Sequence, residues 1–335
     1  MMVGKFVSHS LRRGMVLSVS VPLLFASIVS VFFLFSQWHQ YSSARQMVAL
    51  KDLIGSMGAL VHEQQKERGA TSIYLNSKGE IYKTELAAQR QKTTLAAEEF
   101  VSALEMANVS TSTEIGQALV TIARDLDTRP GIRDAVDRIS IPIPEALGHY
   151  TTHNAKILAA VSLIGSSSTS PRLSGQVGAL EALMTAKEFS GIERAIGSGG
   201  FAAGGFDYQR ILVLERLITQ QNVGLDRFTT LASPEDSQRL AAIDALPETK
   251  EVKEMRKAAF ASHTTGDLSG VTAYDFFSAT TVRINAFKAL EDDLVAKVQT
   301  AALGVLRASL TTIFLVAVGI LLSLTCSIAT TIYVI

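Results

Sequence analysis

Two stretches of this chain carry no charge, and the residues between them repeat apolar and polar positions at the period of an α-helix. Gly14 to Phe35 is a mostly apolar run of about 22 residues, enough to cross a hydrocarbon core of roughly 30 Å at about 1.5 Å per residue. Ala308 to Ile335 is a second charge-free run, of 28 residues. Both read as membrane spans. Lys5, Arg12 and Arg13 precede the first, which places the N-terminus in the cytoplasm and the middle of the chain outside, in the periplasm of a bacterium. A cleaved signal peptide is the competing reading of the first run, but it is long for an h-region and lacks a small-x-small site at its end. Pro22 is expected to kink this helix, and Trp38 with Tyr41 suits an aromatic belt at the far interface.

The segments in between follow the 3.6 period and contain no period-2 runs. They predict helices at about 37–76, 80–107, 112–127, 131–138, 143–167, 171–198, 207–232, 234–262 and 271–307. Pro144, Pro171 and Pro234 open helices, the last two behind the capping candidates Ser170 and Ser233. Pro247 is expected to kink or split its helix, and the glycine-rich Gly197 to Gly205 is expected to be a loop. The fold class is therefore all-α: two transmembrane helices flanking a helical domain of about eight main helices. The divisions are 1–13 (cytoplasmic N-terminus), 14–36 (span), 37–307 (periplasmic domain) and 308–335 (span). The chain stops at its second span with no basic flank, as a receptor portion would if a cytoplasmic output domain followed.

Charge narrows the function classes. The 31 Lys and Arg balance 31 Asp and Glu, so no nucleic-acid footprint is present. Every acid lies between Gln37 and Arg307, against 28 basic residues in that interval, and so weakly acidic a domain cannot collect anions by its overall field. Any anion site must be local. Cys326 is the only cysteine and sits in the last apolar run, so no intrachain disulfide can form.

The local candidates are arginines on inward stripes. Met57, Val61, Gln64, Arg68, Thr71 and Leu75 are spaced 4, 3, 4, 3, 4, the seam that a helix turns toward its neighbours. A guanidinium there needs a partner for its charge: either a neighbouring helix's carboxylate or an anion arriving from outside. Phe276, Thr280, Arg283, Phe287, Leu290 and Leu294 repeat that spacing. By helix rise, Arg68 lies roughly 45 to 50 Å and Arg283 roughly 37 Å along helices leading from the spans. A third stripe, Leu173, Val177, Leu180, Met184, Lys187, Gly191, Arg194 and Ser198, turns Lys187 and Arg194 inward. A competing stripe through Glu188, Ile192 and Ile196 would turn Arg194 to a flank.

Two of these stretches carry a family resemblance. The E-Q-Q-K-E-R-G-A-T-S run from Glu63 to Ser72, the N-S-K-G turn after it and the Q-R at Gln89 and Arg90 resemble the opening signature of the nitrate- and nitrite-sensing (NIT) domain of bacterial receptors. Lys187 to Gly197, KEFSGIERAIG, resembles its second signature. The resemblance implies two four-helix bundles side by side and a nitrate contact from an arginine in each signature, hence Arg68 and Arg194, which favours the stripe that turns Arg194 inward. Arg283 is nominated from its seam alone, Gln64, Thr71, Lys187 and Thr280 as seam neighbours, and Arg90 as a further candidate. Nitrate is a planar, weakly basic monoanion, and the guanidinium fork offers it two donors in one plane without risk of deprotonation. Glu67 and Glu193, each directly before its arginine, are candidates to offset repulsion between the cations.

Other chemistry is thin. His149 and His153 share a helix face but show no third metal ligand, and the run of Glu291, Asp292 and Asp293 reads as a solvated face. No nucleophile elbow or catalytic triad stands out. The expected protein is thus a non-enzymatic periplasmic sensor for nitrate or nitrite without cofactor or metal, a homodimer in the inner membrane that passes its signal along the membrane-entering helices to a cytoplasmic output. A receptor for another small anion such as a carboxylate, or a ligand-free scaffold, are the alternatives.

Overall fold

The computed structural model describes residues 2–168 and 170–334; the side chains of 2–17, and with them Lys5, Arg12 and Arg13, lie outside the described residues. Among the described residues the chain forms eleven α-helices, one 3-10 turn at Leu126–Thr128 and no strand. The helices are α1 Met2–Ala49, α2 Lys51–Asn76, α3 Lys83–Ala107, α4 Glu114–Asp125, α5 Arg129–Asp137, α6 Ile143–Ser166, α7 Pro171–Ala202, α8 Tyr208–Leu231, α9 Pro234–Asp244, α10 Pro247–Thr265 and α11 Ala273–Val334.

Their ends have local causes. Thr113, Asp207 and Ser233 accept bonds from the backbone N–H groups of Gly116, Arg210 and Asp236, each three residues on. The α2–α3 hairpin turns through Lys78 and Gly79, at φ 53° and 84°, and the Gly79 N–H closes back on the Tyr74 carbonyl at 2.8 Å. Gly266, at φ 70°, ends α10.

Three sequence expectations change. The helix expected over 37–76 is interrupted at Leu50, where ψ is 0°, although the Ile54 N–H still reaches the Leu50 carbonyl at 2.9 Å. The helix over 234–262 splits at Pro247, one of the two outcomes expected there: Leu246 before it is extended (φ −55°, ψ 142°), the conformation that proline imposes on its predecessor. The expected glycine-rich loop is largely helix: α7 continues through Gly197, Gly199 and Gly200 to Ala202. A Cβ at Gly197 would lie 2.3 Å from the Phe276 ring and one at Gly200 2.3 Å from the Phe206 ring, so these glycines let aromatic rings pack directly on the helix backbone. Glu291 is not on a solvated face but only 1% exposed and ion-paired to Lys187.

The chain divides into two compact units. One comprises Ala49–Ser167 and Pro171–Thr300; the other comprises Met1–Val48, Ser168–Ser170 and Ala301–Ile335. In the larger unit, α2 packs against α3, α6 and α7, and α4 against α6, around a core that includes Tyr74, Leu86, Val136 and Ala146. Helices α7, α8, α10 and α11 enclose a second core of Phe201, Leu214, Val252 and Phe276, to which α2 adds Ile73. These are two four-helix bundles with α2 and α7 in contact, and both helices are buried on nearly every face. In the smaller unit, α1 and the end of α11 hold stretches long and apolar enough to cross a membrane, with mean hydropathies of 1.8 and 2.4 and no part of the apolar windows buried.

Candidate functional site

Arg68 projects from the middle of α2, where burial by α6 and α7 leaves it 0% exposed. Its Nη1 donates to Thr151 Oγ1 on α6 at 2.9 Å and to Glu188 Oε1 on α7 at 2.5 Å. Glu188 also accepts from Gln65 Nε2 at 2.7 Å and Asn154 Nδ2 at 3.0 Å. Arg194, likewise 0% exposed, donates from Nη1 to Thr281 Oγ1 on α11 at 2.8 Å. Its Cζ lies 4.8 Å from the centre of the Phe277 ring, a cation-π contact.

The two guanidinium groups are tied in the same way and left open in the same way. In each, Nη1 is held by the protein, while Nε and Nη2 are buried without a hydrogen-bond partner. Nε and Nη2 form the edge that grips an oxyanion with two parallel N–H bonds. Leaving such donors dry costs roughly 1 to 3 kcal/mol each, so four of them mark a place where acceptors belong. Burial first, and the neighbouring Arg68 second, push Arg194 down to about 9, which still leaves it a cation at neutral pH.

Glycine makes room at both open edges. A Cβ at Gly191 would sit 2.9 Å from Arg68 Nη2, and a Cβ at Gly69 would sit 3.3 Å from Arg194 Nε and 2.7 Å from the Phe277 ring. Each glycine belongs to one signature and clears space beside the arginine of the other. A cavity of about 280 Å³ opens between α2, α3 and α11, with Lys66, Lys92, Tyr82, Phe277 and Thr281 among its lining. Phe277 and Thr281 are the residues that touch Arg194, so this cavity reaches the site's α11 side. Tyr82 closes edge-on over Phe277, ring centres 5.4 Å apart, and burial, followed by Glu85, raises it to about 12, so it stays neutral.

The remaining candidates disperse around this pair. Gln64 and Thr71 are buried one turn either side of Arg68; Gln64 Oε1 faces His153 Nδ1 at 3.0 Å, and its amide nitrogen has no partner. Lys187 turns to Glu291 at 2.5 Å, and Thr280 bonds its own helix at Phe276. Arg283 joins a separate network, donating to Gln221 Oε1 at 2.9 Å with its Cζ 4.9 Å from the Phe287 ring centre. Arg90 is held by Asp137 at 2.7 and 2.9 Å. His153 is buried and bonded to the Ile122 carbonyl, and among the described residues no group of three His, Cys, Asp or Glu is placed to hold a metal ion.

The carboxylates expected beside the arginines are committed elsewhere. Glu67 is gripped by Arg133 at 2.7 Å twice and by Tyr150 at 2.9 Å; Glu193 is gripped by Arg256 at 2.5 and 2.7 Å and by Gln221 at 2.7 Å. Glu188 takes their place at Arg68. Sequence reasoning missed it, together with Thr151, Asn154, Phe277 and Thr281. Only Glu188 left a trace, as the start of the competing stripe.

Comparison with known proteins identifies the family. Residues 59–299, which hold both arginines, match the family described as nitrate and nitrite sensing. The chain is 30% identical over 264 residues to the nitrate regulatory protein of Klebsiella oxytoca, covering 78% of this chain and 66% of that protein's length, a little under two thirds of it. It is also similar to the solved structure of the NasR transcription antiterminator, with a TM-score of 0.74 at 27% identity over 89% of this chain and 82% of that one. The chain belongs to the nitrate- and nitrite-sensing family.

Proposed function

We propose that the larger unit is the sensor of a two-pass membrane receptor and that nitrate or nitrite binds between Arg68 and Arg194. The observation that carries the reading is the matched pair of open Nε and Nη2 edges on two fully buried guanidinium groups. A planar monoanion fits such a place: it accepts in the guanidinium plane and brings a single negative charge to a buried cluster that carries an excess cation. Neither group is arranged as a nucleophile or general base, and the reading is of a binding module, not a catalyst. Titration calorimetry of the full chain in lipid nanodiscs is expected to give binding of nitrate and nitrite, with chloride and acetate weaker by ten-fold or more. Absence of nitrate binding, or equal affinity for chloride, would sink it.

The membrane part rests on the two apolar helices and on Lys5, Arg12 and Arg13 before the first of them. Both ends of the chain then lie in the cytoplasm, the sensor faces the periplasm, and the receptor works as a homodimer with a cytoplasmic output. Reporter fusions at Gly116 and Gly266 are expected to behave as periplasmic; a cytoplasmic signal from either overturns the topology. Arg68 on α2 and Arg194 on α7, with Thr281 on α11, put three helices around one ligand. An anion that draws them together favours one helix arrangement over another, and only such a difference in affinity can move a receptor.

A further inference from the structure

The cluster around the two open edges contains one carboxylate, and its charge matters as much as its hydrogen bonds. Arg68 and Arg194 carry two positive charges; Glu188, at 2.5 Å from Arg68 and 5% exposed, removes one. The neighbouring buried ions are spoken for: Lys187 by Glu291, Glu67 by Arg133 and Glu193 by Arg256. Nearer the surface, Glu63 pairs with Lys66 at 3.0 Å, and Glu85 and Lys92, which both line the cavity, offset each other in charge, so the buried cluster keeps a formal charge of +1. We infer that Glu188 is the residue that restricts the site to monoanions. A monoanion entering between the arginines brings the cluster to neutrality. A dianion would leave a net negative charge buried without a counterion, which is strongly unfavourable away from water. The same carboxylate keeps Arg68 aimed, because it fixes Nη1 and leaves Nε and Nη2 free.

This inference rests on the anion-binding reading above, and its test separates the two. Glu188→Gln removes the charge and keeps the shape: its carbonyl oxygen can still accept from Arg68. The new amide N–H groups have acceptors at hand once both neighbouring amides turn over, since Gln65 Oε1 and Asn154 Oδ1 are buried without partners. In calorimetry of the full chain in nanodiscs, the wild type is expected to bind nitrate at least ten-fold more tightly than sulfate. In Glu188→Gln that ratio is expected to fall ten-fold or more, through a gain in sulfate affinity, while Glu188→Asp keeps the wild-type preference. A helical Glu188→Gln that binds nitrate with an unchanged ratio overturns the role of Glu188 and leaves the anion site standing. A wild type that binds no nitrate overturns both. A second measurement needs no variant: nitrate binding to the wild type, run at pH 7 in buffers of different ionisation enthalpy, is expected to exchange no proton. Uptake of a proton would mean that the entering charge is balanced by protonation and not by the fixed cluster, and would overturn the charge count.

Discussion

Arg68→Lys and Arg194→Lys are each expected to weaken nitrate binding by ten-fold or more while the larger unit keeps its helical content. A lysine ammonium keeps the positive charge and can still serve what Nη1 serves now, Glu188 and Thr151 on one side and Thr281 on the other. What it cannot supply is the pair of coplanar donors at Nε and Nη2, the edge that is open in both arginines. Losing a charge-assisted bidentate contact from a buried site costs about 1.5 to 3 kcal/mol, and about 1.4 kcal/mol is a decade in affinity. A pure field effect would leave both variants near wild type. Calorimetry with circular dichroism on the same samples checks this. Normal affinity in both lysine variants, or loss of binding only together with loss of helix, would assign the arginines to packing.

The helices were legible because their stops are chemical: a proline in the first turn, a hydroxyl or carboxylate cap, a glycine at positive φ. Arg68 is buried with its seam neighbours Met57, Val61 and Leu75, but Glu67 and Gly69 to Ile73 are buried beside it, so the seam alone did not single it out. Periodicity became uninformative on α7. A stripe is visible only when a helix has a wet face, and α7 is packed between α2, α6 and α8. The choice between a stripe through Arg194 and one through Glu188 was therefore no choice, since both are buried. The same burial hid the purpose of the glycines: a run such as Gly197 to Gly200 reads as helix-breaking until Phe276 and Phe206 are seen lying against it.

Ion pairing was the part that local sequence could not carry. Glu67 and Glu193 precede their arginines in the chain, but successive residues on a helix point about 100° apart, so each serves a different neighbour. Their partners, Arg133 and Arg256, stand 66 and 63 residues away and leave no spacing signal. The resulting arrangement alternates sign through the interior: Arg68 with Glu188 and Glu67 with Arg133 on the α6 side, Glu193 with Arg256 and Arg283 on the α8 side. Two open guanidinium edges remain in the middle because the buried carboxylates around them are committed to other partners.

Glu193→Ala is expected to be the most destabilising single change among these groups. Glu193 is 0% exposed and holds Arg256 bidentately, and Arg283, only 4% exposed, depends on the same charge. Without the carboxylate, the half-buried Arg256 loses its bidentate partner and the buried Arg283 keeps only the longer pair with Asp244 at 4.0 Å, a loss of about 3 kcal/mol. At about 2 to 4 °C per kcal/mol for a domain of this size, the melting temperature is expected to drop by roughly 6 °C or more. The pH dependence has a definite sign. Burial alone would raise the Glu193 carboxyl, but Arg256 outweighs it and holds the group below its ordinary value of 4.5. Glu67 is likewise held below 4.5, burial opposing and Arg133 prevailing. A carboxyl depressed in the folded state contributes stability that is complete above the unfolded value and is lost as pH falls through the lower folded one. The wild type is therefore expected to lose stability in acid below about pH 4.5. Glu193→Ala is expected to start lower at pH 7 and lose less, so the gap between the two closes as the pH falls. Thermal melts from pH 7 to pH 3 test both parts. A variant that melts like the wild type at pH 7, or a gap that widens in acid, would mean that Arg256 and Arg283 find other counterions and that Glu193 does not hold this half of the sensor together.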